Sequence, residues 1–125
     1  MINLEVLILS RNNFSGSIPG CLVGDLDSEF PFPELRIFDL SVNGFTGTFP
    51  SNIFKSFREI AKLQQLKTLD LSWNRLIGEV PGQLSSLTFL EVLNLSYNHL
   101  AGRIPIGKHF NTFPDDSYCG NLDLC

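Results

Sequence analysis

The chain has 125 residues, of which 43% are hydrophobic, and 9 Lys plus Arg stand against 13 Asp plus Glu for a formal charge of -4. That apolar content excludes a disordered tail, and 10 glycines with 7 prolines exclude a helical bundle. The basic residues are scattered, so there is no electrostatic footprint for nucleic acid, and cysteines at 21, 119 and 125 form neither a disulfide framework nor a zinc pattern.

The first segment, Leu4-Glu5-Val6-Leu7-Ile8-Leu9-Ser10-Arg11-Asn12, sets a pattern that recurs at 35–43, 66–74 and 90–98, with Phe38 replacing one leucine. Leucines two apart, such as Leu7 and Leu9 or Leu93 and Leu95, alternate with other residues at the period of a half-buried strand. One face of each strand is therefore expected in the core and the other open. A tail follows each copy: Phe14, Gly16, Ile18 and Pro19; then Phe45, Gly47, Phe49 and Pro50; then Leu76, Gly78, Val80 and Pro81; then Leu100, Gly102, Ile104 and Pro105. Gly followed by Pro turns the chain back. The recurrent Asn12, Asn43, Asn74 and Asn98 stand where each strand ends, and a buried Asn there can bond backbone groups of neighbouring turns, which predicts an asparagine ladder.

Spacings between these asparagines are 31, 31 and 24 residues, so the first two units carry longer inserts, at 20–34 and 51–65. The first insert holds Pro31 and Pro33 among Asp25, Asp27 and Glu29 and reads as an irregular convex loop. In the second, Ile53, Phe57, Ile60 and Leu63 fall at helical spacing, which predicts a convex-face helix.

The unit LxxLxLSxNxLxGxIP resembles the leucine-rich repeat of the subtype typical of plant extracellular proteins. The resemblance implies an α/β solenoid: a right-handed coil with a short parallel sheet on the concave face, and loops and one helix on the convex face. Four repeats would occupy residues 1–105 and an incomplete C-terminal cap 106–125. That last stretch, from Gly107-Lys108-His109-Phe110 to Ser117-Tyr118-Cys119-Gly120-Asn121-Leu122-Asp123-Leu124-Cys125, is similar to the cap that closes the ectodomain of plant leucine-rich-repeat receptor-like proteins. Cys119 stands where the family carries another residue, so a Cys119–Cys125 bridge and free thiols both stay open.

Met1 to Asn3 run straight into a repeat whose Leu4, Leu7 and Leu9 have no neighbour below them, and such a side chain gains ~1.5–3 kcal/mol from burial. The expectation is a fragment: the membrane-proximal end of a longer ectodomain, or a truncated relative. No apolar run reaches the roughly 20 residues of a membrane span, and the N-terminus shows no signal peptide.

The open strand positions and those flanking each Asn form the expected binding surface, five per repeat, against the ~20–30 residues a side of a standard interface. Candidate ligand-binding residues are Trp73, Tyr97, Asp39, Asp70, Arg11, Arg75 and His99. Trp73 and Tyr97 hold equivalent positions in adjacent repeats and are residue types favoured as interface anchors. Asp39 and Asp70 belong to the repeat, and no third group converges on them for catalysis. His99 and His109 lack partners at ligand spacing, so neither metal nor cofactor is expected. Sequons at Asn13-Phe14-Ser15 and Asn94-Leu95-Ser96 are candidates for glycosylation, and a glycan on Asn94 would block part of the concave face.

The resemblance implies a non-catalytic recognition module on the extracellular side of the plasma membrane. It would bind a protein or peptide ligand and a co-receptor kinase in defence or developmental signalling. A soluble inhibitor similar to polygalacturonase-inhibiting proteins, or part of a leucine-rich-repeat receptor kinase, are the alternatives.

Overall fold

The computed structural model describes residues 4–18, 34–49, 64–107 and 110–124. The convex helix expected over 51–63, nearly all of the first insert, Cys21, His109 and Cys125 lie outside the described residues.

Four three-residue strands, β1 (Val6–Ile8), β3 (Ile37–Asp39), β5 (Thr68–Asp70) and β7 (Val92–Asn94), make one parallel sheet in that order. β2 (Ser15–Ser17), β4 (Gly44–Thr46), β6 (Ile77–Gly78), β8 (His99–Gly102) and β9 (Asp123–Leu124) form the second sides of successive coils. They pair as two parallel sheets, β2-β4 and β6-β8-β9. Register aligns Leu7, Phe38, Leu69 and Leu93 on neighbouring strands, so the same repeat position points inward at every level. Phe38, Leu40, Leu69, Leu71 and Leu95 are fully buried, and Phe49, Leu76 and Leu84 fill the space between the two sheet faces.

The chain cannot stay extended past three residues because the polar residue ending most of these strands bends it. Asp39, Asp70 and Asn94 each accept a hydrogen bond at Oδ1 from the backbone N–H two residues on, at 2.9, 3.0 and 3.1 Å. Further on, the tail glycines at 16, 47, 78 and 102 share φ values between 80° and 87°, a region open to glycine at little steric cost. The return path in the third unit is a 3-10 helix at Gly82–Ser86, whose Leu84 reaches the core, followed by buried Leu87 and Leu90.

Asparagine side chains join the coils. Asn74 donates from Nδ2 to the Leu40 carbonyl of the preceding coil at 3.0 Å and to the Leu71 carbonyl of its own at 3.1 Å, while its Oδ1 accepts from the Phe45 N–H at 3.1 Å. Asn98 repeats this with the Leu71 and Leu95 carbonyls and the Leu76 N–H, and Asn43 with the Leu9 and Leu40 carbonyls and the Phe14 N–H. Asn12 differs: it is exposed and, among the described residues, bonds only the Leu9 and Ser10 carbonyls of its own coil. Burial follows the same gradient, since Leu7 and Leu9 are half-buried where Phe38 and Leu40 are fully covered.

The coil geometry runs on through residues 110–124. Asn121 donates to the Leu95 and Tyr118 carbonyls, both at 2.9 Å, and accepts from the Leu100 N–H at 3.0 Å. The Leu95 and Tyr97 N–H groups bond the Ser117 and Cys119 carbonyls, and Phe110 and Phe113 close the end of the core. Asn121 is thus a fifth rung that the fourfold pattern did not reveal.

Replacing Asn74 by Ala removes four buried hydrogen bonds and is expected to lower stability by ~1–3 kcal/mol in urea denaturation. Asn12→Ala, at an exposed position bonded only within its own coil, should change it by less than about 0.5 kcal/mol.

Candidate ligand-binding face

On the concave sheet the outward residues form columns fixed by the strand register. One runs Val6, Ile37, Thr68, Val92 and the next Ile8, Asp39, Asp70, Asn94. Val6, Ile8 and Val92 are about half exposed.

Ser41, Ser72 and Ser96, expected on the open face by strict alternation, are instead buried. The bend made by Asp39, Asp70 and Asn94 draws each serine inward. Ser72 and Ser96 also give their hydroxyls to Asp70 and Asn94 Oδ1, both at 2.6 Å. Asp39 and Asp70 are therefore half-buried turn residues with one carboxylate oxygen engaged. Asn94, in the same column, uses its Oδ1 on the serine of its own sequon. Asn13 is exposed.

The residue before each ladder asparagine is exposed and has left-handed backbone. Arg11, Val42, Trp73 and Tyr97 all have φ of 56–58°, in the left-handed region that costs a non-glycine residue roughly 1–2 kcal/mol. The backbone accepts that conformation because each N–H reaches a carbonyl of the next coil: Arg11 to Ser41, Val42 to Ser72, Trp73 to Ser96 and Tyr97 to Cys119, at 2.8–3.0 Å. The fifth member of the column is Gly120, with φ 79°.

Trp73 and Tyr97 stack within this column, ring centroids 4.0 Å apart and planes 12° from parallel. Adjacent coils are ~4.8 Å apart along the sheet, so near-parallel rings at that separation face one another along the stacking axis. Trp73 is 55% and Tyr97 43% exposed. On the far side Tyr97 meets the Gly120 backbone, where a Cβ would stand 2.6 Å from Tyr97 Cδ1.

The Tyr97 phenol is held above its ordinary pKa of 10.0, first by a hydrogen bond with Cys119 and the charge of that group, then by slight desolvation and the Asp116 carboxylate. Cys119 is an exposed free thiol. Tyr118 points the other way: burial pushes its phenol up to about 12, and its hydroxyl has no hydrogen-bond partner among the described residues.

Arg75 and His99 do not share the concave sheet with Trp73 and Tyr97. Both follow a ladder asparagine, and His99 opens β8, so they lie at the flank where the chain passes to the second side. Arg11 heads the left-handed column two coils below Trp73, both of them exposed. Among the described residues no three His, Cys, Asp or Glu side chains gather as metal ligands, and no helix is long and apolar enough to cross a membrane.

Parallel coils stacked on a ladder of buried amides, with exposed columns on one face, define a solenoid repeat protein. Residues 3–24, 34–56, 65–87 and 89–107 match the family model described as Leucine Rich Repeat, and the chain belongs to the leucine-rich-repeat family. The solved structures similar to it include ectodomains of plant receptor kinases. A chain in the BIR3–SERK2 complex from Arabidopsis thaliana is 36% identical with a TM-score of 0.78, over 97% of this chain and 56% of that one. The ectodomain of the Arabidopsis thaliana receptor kinase GASSHO1/SCHENGEN3, in complex with CASPARIAN STRIP INTEGRITY FACTOR 2, is 41% identical with a TM-score of 0.72, over 95% and 12%. The structure of the Arabidopsis receptor kinase HAESA with the peptide hormone IDA and the co-receptor SERK1 gives 30% identity and a TM-score of 0.63, over 98% and 22%. This chain thus spans about half, or much less, of the length of those chains. None of the curated proteins compared with it matches.

Gly120→Ala should push Tyr97 away from its seat and strain the backbone, lowering stability by ~1–2 kcal/mol and reducing the near-ultraviolet circular dichroism of the stacked rings. Tyr118→Phe should do the reverse, gaining up to about 1 kcal/mol in urea denaturation because a buried, unbonded hydroxyl is removed.

Proposed function

We propose that the chain is a non-catalytic recognition module of a plant cell-surface receptor. In this reading it binds a protein or peptide ligand, or a co-receptor kinase, at the extracellular side of the plasma membrane. The observation that carries this reading is the exposed Trp73–Tyr97 stack in the left-handed column of the concave face. Large aromatic groups with fixed geometry lose little entropy on binding and serve as anchors. The edges of stacked rings carry partial positive charge and suit carbonyl, carboxylate and aromatic groups of a polypeptide.

The HAESA structure contains both a peptide hormone and a co-receptor, which supports the same two partner classes here. Asp39 and Asp70 act through the free edge of a carboxylate already fixed by a turn. Arg11 lies two coils below the aromatic pair, and Arg75 and His99 lie at its flank as further polar contacts. A glycan on Asn94 would stand in the same column as Asp70 and compete with any partner reaching Tyr97.

The test uses the SERK1 ectodomain as probe in biolayer interferometry, with unglycosylated chain. Binding should weaken at least tenfold, about 1.4 kcal/mol, in the Trp73→Ala/Tyr97→Ala variant, while stability falls by no more than ~1 kcal/mol. Equal affinity of the variant and the parent chain for SERK1 would remove the aromatic stack from the site.

A further inference from the structure

Between β7 and the C-terminal segment lies a cavity of about 280 Å³ that the fourfold repeat does not foreshadow. Its walls are Val92, Phe113 and Pro114, and its polar lining includes Glu91, Asn94 and Asp116. The volume falls just below the ~300–1,000 Å³ usual for small-molecule sites, which suits a single side chain better than a whole metabolite.

The cavity lies where the last full coil meets the segment that follows it. The Ser117 and Cys119 carbonyls bond the Leu95 and Tyr97 N–H groups just past β7. Pro114 and the 3-10 turn Asp115–Ser117 face β7 across the cavity, which all three residues of the strand line.

Glu91 and Asp116 are exposed, and neither carboxylate has an ion-pair or hydrogen-bond partner among the described residues. Asp70 stands beside Asn94 in the strand register and adds a further negative charge next to the cavity wall. Lys67, the nearest basic residue along the sheet, belongs to the preceding coil and does not line the cavity. An apolar wall with two unpaired carboxylates complements a side chain that has a methylene stem and a cationic head. The planar guanidinium, which can offer parallel N–H groups to two acceptors, fits such a pair better than an ammonium does.

We propose that this cavity seats an arginine side chain of the peptide or protein partner. The inference rests on the recognition reading above and adds a charge preference to it: the partner presents a basic residue to the end of the concave face, next to the Trp73–Tyr97 edge.

The probe is Nα-acetyl-arginine amide, titrated into the unglycosylated chain and followed by two-dimensional amide NMR. Nα-acetyl-citrulline amide, which has nearly the same shape without the charge, is the control. Saturable shifts are expected at Val92, Asn94 and Ser117 with the arginine compound. They should be absent with the citrulline compound and at least about tenfold weaker in Glu91→Gln/Asp116→Asn, whose spectrum also reports that it is folded. Equal shifts from the citrulline compound, unsaturable shifts spread over the surface, or undiminished binding by the double variant would each overturn the proposal. The titration contains no SERK1, so its failure leaves the aromatic reading standing. An unchanged response in Trp73→Ala/Tyr97→Ala shows that the two sites fail separately.

Discussion

The structure depends on one interaction: a side-chain amide that satisfies, in the same place, the backbone of two coils. Where each strand turns out of the sheet it leaves carbonyls and an N–H that no ladder can reach. Asn74 supplies donors to Leu40 and Leu71 and an acceptor for Phe45 within one short side chain. An aspartate lacks the donor, a glutamine is too long, and a serine has only one donor to offer. Because the rungs at Asn43, Asn74, Asn98 and Asn121 use the same atoms, the coils are held at one spacing and in one register, and any side chain on the outside is repeated in line with its counterparts above and below.

That register turns a stack into a surface. Left-handed backbone at Arg11, Val42, Trp73 and Tyr97 would be costly in isolation, and Val42 is β-branched and least suited to it. The strain is offset by the bond each N–H makes to the next coil, and its result is that these side chains stand clear of the sheet. The stacking of Trp73 on Tyr97 follows from the spacing: aromatic rings one coil apart in such a column come within van der Waals contact without any special arrangement. Gly120 ends the column because the Tyr97 ring already fills the place of its Cβ.

The strands and the core were legible in the sequence because leucine and phenylalanine recur at the same positions of every copy, and the rung positions because Asn recurs with them. The left-handed column was not, for Arg, Val, Trp and Tyr are not residues that signal positive φ. The clue lay in the fifth copy, where Gly120 precedes Asn121; Tyr118 and Cys119 replace the usual Leu and Ser there and hide the repeat. The inward Ser41, Ser72 and Ser96 were misread because alternation assumes an unbroken strand, whereas the turn at Asp39, Asp70 and Asn94 breaks it. Strands of the second side are two to four residues long and leave no alternation to read.

The end of the stack shows how a solenoid can acquire a specific site from an ordinary necessity. An array of identical coils offers the same surface at every level, and chemical individuality must come from what breaks the identity. Here the break is Pro114, which has no N–H to add to the sheet, followed by a turn that carries two acidic residues. The closing segment must still shield Leu95 and present Asn121 to the ladder, so it rejoins the stack at Ser117 and leaves the space beneath unfilled. Asn94 borders that space with its Oδ1 already bound to Ser96, and a glycan at this sequon would occupy the approach to the cavity and the column of Asp70 together. The departure from the repeat therefore concentrates charge, an apolar wall and a modifiable amide at one end of the concave face, beside its exposed aromatic residues.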